Sequence, residues 1–331
     1  MDLLVLSAAD VHALLSYADC AAAMREALTA LASGQAQQPL RTVIAPEGAA
    51  GLMALMPSYL AGDDPAYGLK AICITPANPA AGLDTHQGVV LLSDGGTGQP
   101  AAILNAAAVT EIRTAAVSVV ATSLLARPDA AVLAVIGAGV QARAHILALD
   151  GARQLNEIRV AGRDAERTAR FAASLHGQTS APVRAVPAAG EAVAGADLIV
   201  TATSSADPVL SRDWIEPGTH INAVGACLPH QRELDTATVA AGVLFADRRD
   251  SLLAESGDYR LAAAEGADPE VRAELGELLL GTAPGRADDA EITIFESLGL
   301  AVEDLAAAGH AYRQALARRG RPDEIGSWLA F

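Results

Sequence analysis

The run AVLAVIG at residues 131–137 leads directly into GAGVQA at 137–142, and the chain then reads as helix to about Leu149. Few folds use such a junction. A strand that ends on Gly137 can turn sharply because glycine takes a positive φ freely, and Gly139 leaves the backbone bare where the helix begins. Ala142 is small enough to let that helix lie close to the strand. The first N–H groups of the helix, at Val140 and Gln141, have no helical acceptor and face an incoming anion. In this setting the anion is the pyrophosphate of a dinucleotide.

Beyond this helix the chain repeats the pattern. EIRVAG at 157–162, VRAVP at 183–187, ADLIVTAT at 196–203, HINAVG at 220–225, GVLFAD at 242–247 and EITIFES at 291–297 are strand-length apolar runs. Helical stretches separate the early ones, the first ending about His176. Strands apolar on both faces, alternating with helices, predict an α/β fold with a doubly wound parallel sheet of the Rossmann type. The end of the second strand selects the cofactor. An acid there would accept from a ribose 2′-hydroxyl, but the chain has Gly162 followed by Arg163 and Asp164. Arg163 offers a fork for a 2′-phosphate, and Asp164 is placed to cap the next helix. NADP(H) is expected in preference to NAD(H), the alternative being that Arg163 is a solvated surface arginine.

The first third of the chain has another texture. Ser7 and Ser16, each with an aspartate three residues on, open two helices, the second ending near Gly34. LRTVIA at 40–45, GLMALM at 51–56, YGLKAICIT at 67–75, QGVVLLSD at 87–94 and QPAAILN at 99–105 are strands, and Asp94-Gly95-Gly96 is a hairpin signal. An antiparallel sheet is expected, followed by a helix over 110–127 with Arg113 in its first turn, where guanidinium and helix N-terminus together would suit an anion. A last helix is expected over about 298–317. Lys70 is the only lysine among 23 basic residues, and it lies in a strand apolar on both faces. Such an amine faces a cavity, snorkels, or bears the cost of desolvation. Arg113 and Arg41 stand in similarly apolar company. Together the three suggest a carboxylate clamp; singly, each is equally a charge with its stem buried and its head in water.

Composition closes off other classes. The 331 residues are 51% hydrophobic and 19% charged, which predicts a folded chain of two compact units or one large one. A formal charge of −16 repels phosphate backbones and anionic lipid, so neither a nucleic acid nor a membrane surface is an expected partner. The uninterrupted apolar runs are short against the roughly 20 residues of a membrane helix, and MDLLVLSAAD lacks the basic start and apolar run of a secretory signal. Cys20, Cys73 and Cys227 are odd in number, widely spaced and without a C-x-x-C pair, so reduced thiols, no metal site and a cytoplasmic location are expected. The final stretch reads as a tail that docks through Trp328 and Phe331.

PLRTV at 39–43, LMP at 55–57, YGLK at 67–70, THQ at 85–87, IRTAAVS at 112–118, IGAGVQA at 136–142, INAVGA at 221–226, REL at 232–234, ESGD at 255–258, AELGELL at 273–279 and SLGLAVED at 297–304 occur in this order. In them the chain resembles the ornithine cyclodeaminase and mu-crystallin family. The resemblance implies a homodimer built by a substrate domain, 1–117 with 298–331, and a dinucleotide domain over 118–297. It implies that Arg41, Lys70 and Arg113 contact a substrate carboxylate, with Cys227 and Glu255 also facing substrate. Thr85 and His86 would lie near the nicotinamide end of the cofactor, the alternative for His86 being a turn residue that caps the strand. Thr201, Thr203, Val224, Ser297, Leu298 and Gly299 would join the glycine motif and residues 162–164 around the cofactor.

Two departures bear on activity. Cyclodeaminases of the family carry an aspartate two residues after the INAVG glycine and a glutamate before LMP, and this chain has Cys227 and Ala54 there. Oxidising an amine needs a proton acceptor; reducing an imine that arrives protonated needs chiefly orientation and a carboxylate anchor. The expected activity is NADPH-dependent reduction of a small cyclic ketimine acid, such as Δ1-pyrroline-2-carboxylate or Δ1-piperideine-2-carboxylate, to proline or pipecolate. The alternatives are a cyclodeaminase or an alanine or other amino-acid dehydrogenase, and a non-catalytic NADPH-dependent ligand binder. Cys227 is read as a small apolar filler rather than a thiol catalyst.

Overall fold

The structure is a computed structural model and describes residues 2–330. The chain divides into two compact units, residues 1–113 with 300–331, and 114–299.

The first unit opens with β1 (Asp2–Leu6), α1 (Ala8–Leu14), α2 (Tyr17–Ala32), β2 (Ala36–Gln37), β3 (Thr42–Ile44), β4 (Leu52–Leu60), β5 (Ala66–Ile74), β6 (His86–Asp94) and β7 (Pro100–Asn105), followed by α3 (Ala106–Leu125). Ser7 and Ser16 cap α1 and α2, their side chains accepting from the Asp10 and Asp19 N–H groups. Strands β4 to β7 pair antiparallel in sequence order. Asp94 Oδ1 closes the hairpin turn by accepting from the Gly96 and Thr97 N–H groups. The sheet is mixed rather than antiparallel throughout, because the unforeseen β1 adds to β7 in parallel.

Helix α3 starts four residues before the expected Thr110. Asn105 is the reason: its Oδ1 accepts from the Ala108 N–H at 3.0 Å, the N-cap bond that nucleates an extra turn. Arg113 therefore stands two turns into the helix, and the expectation that it shares an anion site with a helix N-terminus fails. Its length and composition would let α3 cross a bilayer, but 72% of its apolar window is buried inside the protein, as in a core helix.

The second unit holds β8 (Val132–Ile136), α4 (Val140–Ala152), β9 (Glu157–Ala161), α5 (Ala165–Ser174), β10 (Val183–Ala185), α6 (Ala189–Val193), β11 (Leu198–Thr201), β12 (His220–Ala223), α7 (Thr236–Ala241), β13 (Val243–Ala246), α8 (Arg249–Glu255), α9 (Gly257–Ala264), β14 (Val271–Glu274), α10 (Leu275–Leu280) and β15 (Thr293–Glu296). Its eight strands run parallel in the order β10-β9-β8-β11-β12-β15-β13-β14. β11, β12, β13 and β15 are buried at every position, which is why they read as unbroken apolar runs. β14 was not foreseen; VRAE alternates charge with small apolar residues, tolerable only on the sheet edge it occupies. The strand order reverses between β8 and β11, so the connections leaving their carboxyl ends diverge and open a crevice beside Gly137.

The chain then returns to the first unit with α11 (Ala301–Arg318) and β16 (Ser327–Ala330). β16 pairs antiparallel with β1, so the expected tail is an edge strand, and Arg319 stacks over Trp328 at 4.1 Å. Phe331, the other expected anchor, lies outside the described residues. α11 packs on α2 and across β4, β5 and β6. Gly68 of β5 permits this approach, since a Cβ there would meet the Leu305 side chain at 3.0 Å. The other face of the sheet keeps its apolar side chains uncovered: Ile44, Met53 and Val89 are exposed, and Leu55, Leu69 and Leu91 half-buried.

Candidate active site

Lys70 points to the α11 face of the sheet, two residues from Gly68 on the same side of β5. The glycine seats Leu305, and its neighbour Asp304 reaches Lys70. Asp304 Oδ2 lies 2.7 Å from Lys70 Nζ, and its Oδ1 accepts from Arg113 Nε at 3.2 Å. Glu303 Oε2 accepts from Arg113 Nη1 at 3.1 Å. Lys70 Nζ also donates to Thr110 Oγ1 at 3.4 Å. Lys70, Arg113, Glu303 and Asp304 are 3%, 5%, 0% and 1% exposed, so two cations and two anions share one dry site. Burial lowers the Lys70 amine to about 8; Asp304 opposes this, while Arg113 and Arg41 add to it. Arg41, one residue before the Thr42–Leu55 pair, continues the row across the sheet that holds Met56 and Lys70.

His86 opens β6 and is exposed, yet the enclosure it has, and then the Lys70 and Arg113 charges, hold its imidazole below the ordinary value. In the first unit Lys70 thus lies within electrostatic reach of Arg41, Arg113 and His86. Thr85, half-buried, accepts from the Thr75 N–H through its carbonyl. Sequence reasoning gave no role to Glu303 and Asp304. Their signal was an acid pair opening an otherwise Ala-rich apolar helix, where a solvated face is the commoner meaning.

In the second unit the glycine motif takes the form its sequence dictates. Gly137 has φ +129°, and a Cβ there would stand 2.5 Å from the Ala202 carbonyl oxygen. Gly139 caps α4 without any side-chain bond, and a Cβ on it would meet nothing within 4 Å. Val140 is exposed, Gln141 half-buried, and Ala142 fully buried in the helix–sheet core. A bare helix N-terminus behind a glycine turn fits a pyrophosphate. Ser297 Oγ is buried with no hydrogen-bond partner among the described residues. Gly162 is bare for a packing reason: a Cβ would lie 2.5 Å from Thr168 Oγ1, which is bound to the Asp164 carbonyl. Asp164 caps α5 through the Arg167 N–H, and Arg163 is exposed.

Four buried acids that sequence reasoning passed over tie the loops at the carboxyl edge of this sheet. Glu233 accepts from the Thr203 N–H and Oγ1–H at 2.6 and 2.7 Å and from the Gly225 N–H at 2.7 Å. Asp258 Oδ1 accepts from the Glu233 and Leu234 N–H groups, and Asp247 Oδ2 from those of Leu298 and Gly299. Ser256 Oγ donates to Glu296. The hydroxyl of Thr203, expected at the cofactor, is thereby engaged by Glu233. Burial raises Asp258 to about 7, and burial and then the Asp258 charge raise Glu296 well above the usual carboxylate range. Thr201 ends β11 fully buried, and Val224 packs into the helix–sheet core. Cys227 packs half-buried against the second unit's core, as the filler reading expects, and Glu255 is half-buried at the end of α8.

Residues 1–319 match the ornithine cyclodeaminase/mu-crystallin family. The ketimine reductase mu-crystallin of Mus musculus is 39% identical over 279 residues, 84% of this chain and 85% of that protein. A Δ1-pyrroline-2-carboxylate reductase of Bacillus cereus is 35% identical over 319 residues, 96% of this chain and 98% of the relative. The Thermococcus litoralis Δ1-pyrroline-2-carboxylate reductase, solved with NADH and L-proline, superposes with a TM-score of 0.93 at 36% identity, covering 98% of this chain and 99% of the other. With a family match over residues 1–319 and relatives 39% and 35% identical across most of their length, the chain belongs to the ornithine cyclodeaminase/mu-crystallin family.

Proposed function

We propose that this protein reduces small cyclic ketimine carboxylates, Δ1-pyrroline-2-carboxylate or its six-membered homologue, with NADPH as the preferred reductant. The coarser statement, an oxidoreductase that acts on carbon–nitrogen bonds with a nicotinamide dinucleotide, follows from the family and from relatives that match nearly the whole chain. The observation that carries the finer reading is the buried Lys70–Arg113 pair beside Ala54, Met56 and Ile72 on the inner face of the sheet. Cations there suit one carboxylate, and apolar neighbours suit a hydrocarbon ring.

When bound, the reduced nicotinamide supplies the hydride that the imine carbon accepts. Lys70 and Arg113 hold the carboxylate and so fix the face presented, while Gly139, Val140 and Gln141 offer backbone N–H groups to the pyrophosphate. Arg163 holds the 2′-phosphate that makes NADPH the better partner. Glu303 and Asp304 are committed to the cations, and Ala54 and Cys227 offer no carboxylate at the two places where cyclodeaminases of the family carry one. The uncovered sheet face around Met53, Leu55 and Val89 supports a homodimer through the first unit, since a monomer leaves that apolar surface in water. Its three free cysteines suit a reducing cytoplasm.

The test is cofactor oxidation with cyclic imino acids and with pyruvate plus ammonia, alongside ammonia release from ornithine. Turnover of the imines without ammonia from ornithine is expected. Robust release from ornithine would replace this reading with a cyclodeaminase, and absence of all turnover with tight NADPH binding would replace it with a ligand binder. Leu55→Asp together with Leu91→Asp is expected to yield monomers by light scattering.

A further inference from the structure

Lys70 and Arg113 lie on β5 and α3, and a single side chain on a third element, Asp304 of α11, contacts both. One carboxylate oxygen goes to each cation, so the residue sets the distance between them and answers both charges at once. The surroundings give Lys70 little other support. Arg113 and Arg41 repel its charge, His86 at the start of β6 is itself held below its ordinary value by Lys70 and Arg113, and Glu303 is bound to Arg113. Cys20 of α2, which the Arg113, Glu303 and Asp304 charges reach, stays a neutral thiol because burial pushes it up. Taken out of water, an amine sheds its proton unless an anion stands beside it, and a neutral amine holds a carboxylate poorly.

We propose that Asp304 is a positioning residue of the carboxylate site, spanning Lys70 and Arg113 so that the two cations stay charged and correctly spaced for one substrate carboxylate. The proposal rests on the reading that Lys70 and Arg113 bind that carboxylate. An ion pair that merely glues α11 to the sheet predicts lost stability; a positioning role predicts a changed response to pH and to ligand charge. On an unmutated site the alkaline limb of kcat/KM reports loss of the Lys70 proton near its value of about 8. Removing the Asp304 charge removes a contribution that raises this value, so the limb moves toward acid.

The experiment measures kcat/KM for Δ1-pyrroline-2-carboxylate between pH 6 and 10 with the full-length protein and NADPH. Calorimetric titration of the NADP-saturated protein with pyrrole-2-carboxylate and with its uncharged carboxamide supplies a readout apart from turnover. For Asp304→Asn the alkaline limb is expected to fall by about one pH unit, and the carboxylate to bind about tenfold more weakly at pH 8 with the carboxamide unchanged. Asp304→Glu keeps the charge and shifts it by about one carbon–carbon bond, so its limb stays in place while KM rises several-fold; this variant decides the matter where Asn does not fold. A folded Asp304→Asn protein with an unmoved limb and unchanged carboxylate affinity overturns the proposal, as does Asp304→Glu with an unaltered KM. Lys70→Met separates the two readings. If it keeps full carboxylate affinity, the clamp itself is wrong; if it loses that affinity while Asp304→Asn does not, only the role of Asp304 is wrong.

Discussion

The second unit presents bare backbone at the start of a helix, and the first buries charged side chains. At Gly137 and Gly139 the material is absence: no Cβ, a positive φ, and a helix whose first N–H groups have no side-chain cap. Nothing charged is buried there, so the cradle costs little when empty. At Lys70 and Arg113 two full charges lie in a dry site, and they persist because Glu303 and Asp304 neutralise them. A backbone site is robust to the rest of the sequence, whereas a side-chain site depends on each partner.

That contrast breaks most sharply at its centres. Lys70→Met and Arg113→Met are expected to lower kcat/KM by about thirtyfold to a thousandfold, roughly 2 to 4 kcal/mol, while NADPH affinity measured by fluorescence holds. Arg113→Met also strands the buried Glu303 carboxylate and leaves Asp304 to Lys70 alone, for which about 3 to 5 kcal/mol of stability is expected to be lost in denaturant unfolding. Gly137→Val is the mirror experiment. Its backbone conformation and the 2.5 Å approach to the Ala202 carbonyl exclude a branched side chain, so cofactor affinity falls by about a hundredfold with carboxylate-analogue binding retained. Parallel loss of both ligands in either set would erase the contrast.

A smaller effect sharpens it within the second unit. Arg163→Ala is expected to reduce the NADPH-over-NADH preference about tenfold, the worth of a charged contact in an exposed place. Gly162→Asp alone is not expected to create an NADH enzyme, because the new Cβ collides with Thr168 Oγ1; Gly162→Asp with Thr168→Ala is expected to do better. Equal kcat/KM for the two cofactors in the unmutated protein would remove the basis of both.

The smallest effect concerns the buried acids of the second unit. Asp258 holds its proton up to about pH 7 when folded, while an unfolded aspartate releases it near about 3.9. Stability contributed by that proton is full below the lower value and gone above the upper one, so the melting temperature should decline by a few degrees as pH rises through 5 to 7. Asp258→Asn keeps the Oδ1 acceptor for the Glu233 and Leu234 N–H groups and should flatten the decline. An unchanged slope would assign the pH dependence to other groups.

The same difference explains what could be read from the chain. The strand, the two glycines, the helix and the bare Gly162 all lie within about thirty residues, where local conformation and spacing carry the information. The cations of the first unit were legible too, since a lone lysine in an apolar strand demands an explanation. Helix starts were less so: Asn105 shifted α3 by a turn and took Arg113 away from the helix end it was expected to share. Strand β1 and the edge strands β14 and β16 escaped notice because their patterns are weak without the neighbours that pair them.

By itself the sequence determined that this protein has a dinucleotide cradle, a parallel sheet to carry it, and isolated cations elsewhere in need of an anion. Tertiary structure alone decided which anions those are. Arg113 and Asp304 are 191 residues apart, and the packing of α11 on α2 and across β4 to β6, with Leu305 seated against Gly68, brings the acid onto the lysine. Periodicity and local motifs encode conformation over a few turns of chain, but the free energy of a buried charge depends on whatever the fold sets within a few ångströms of it.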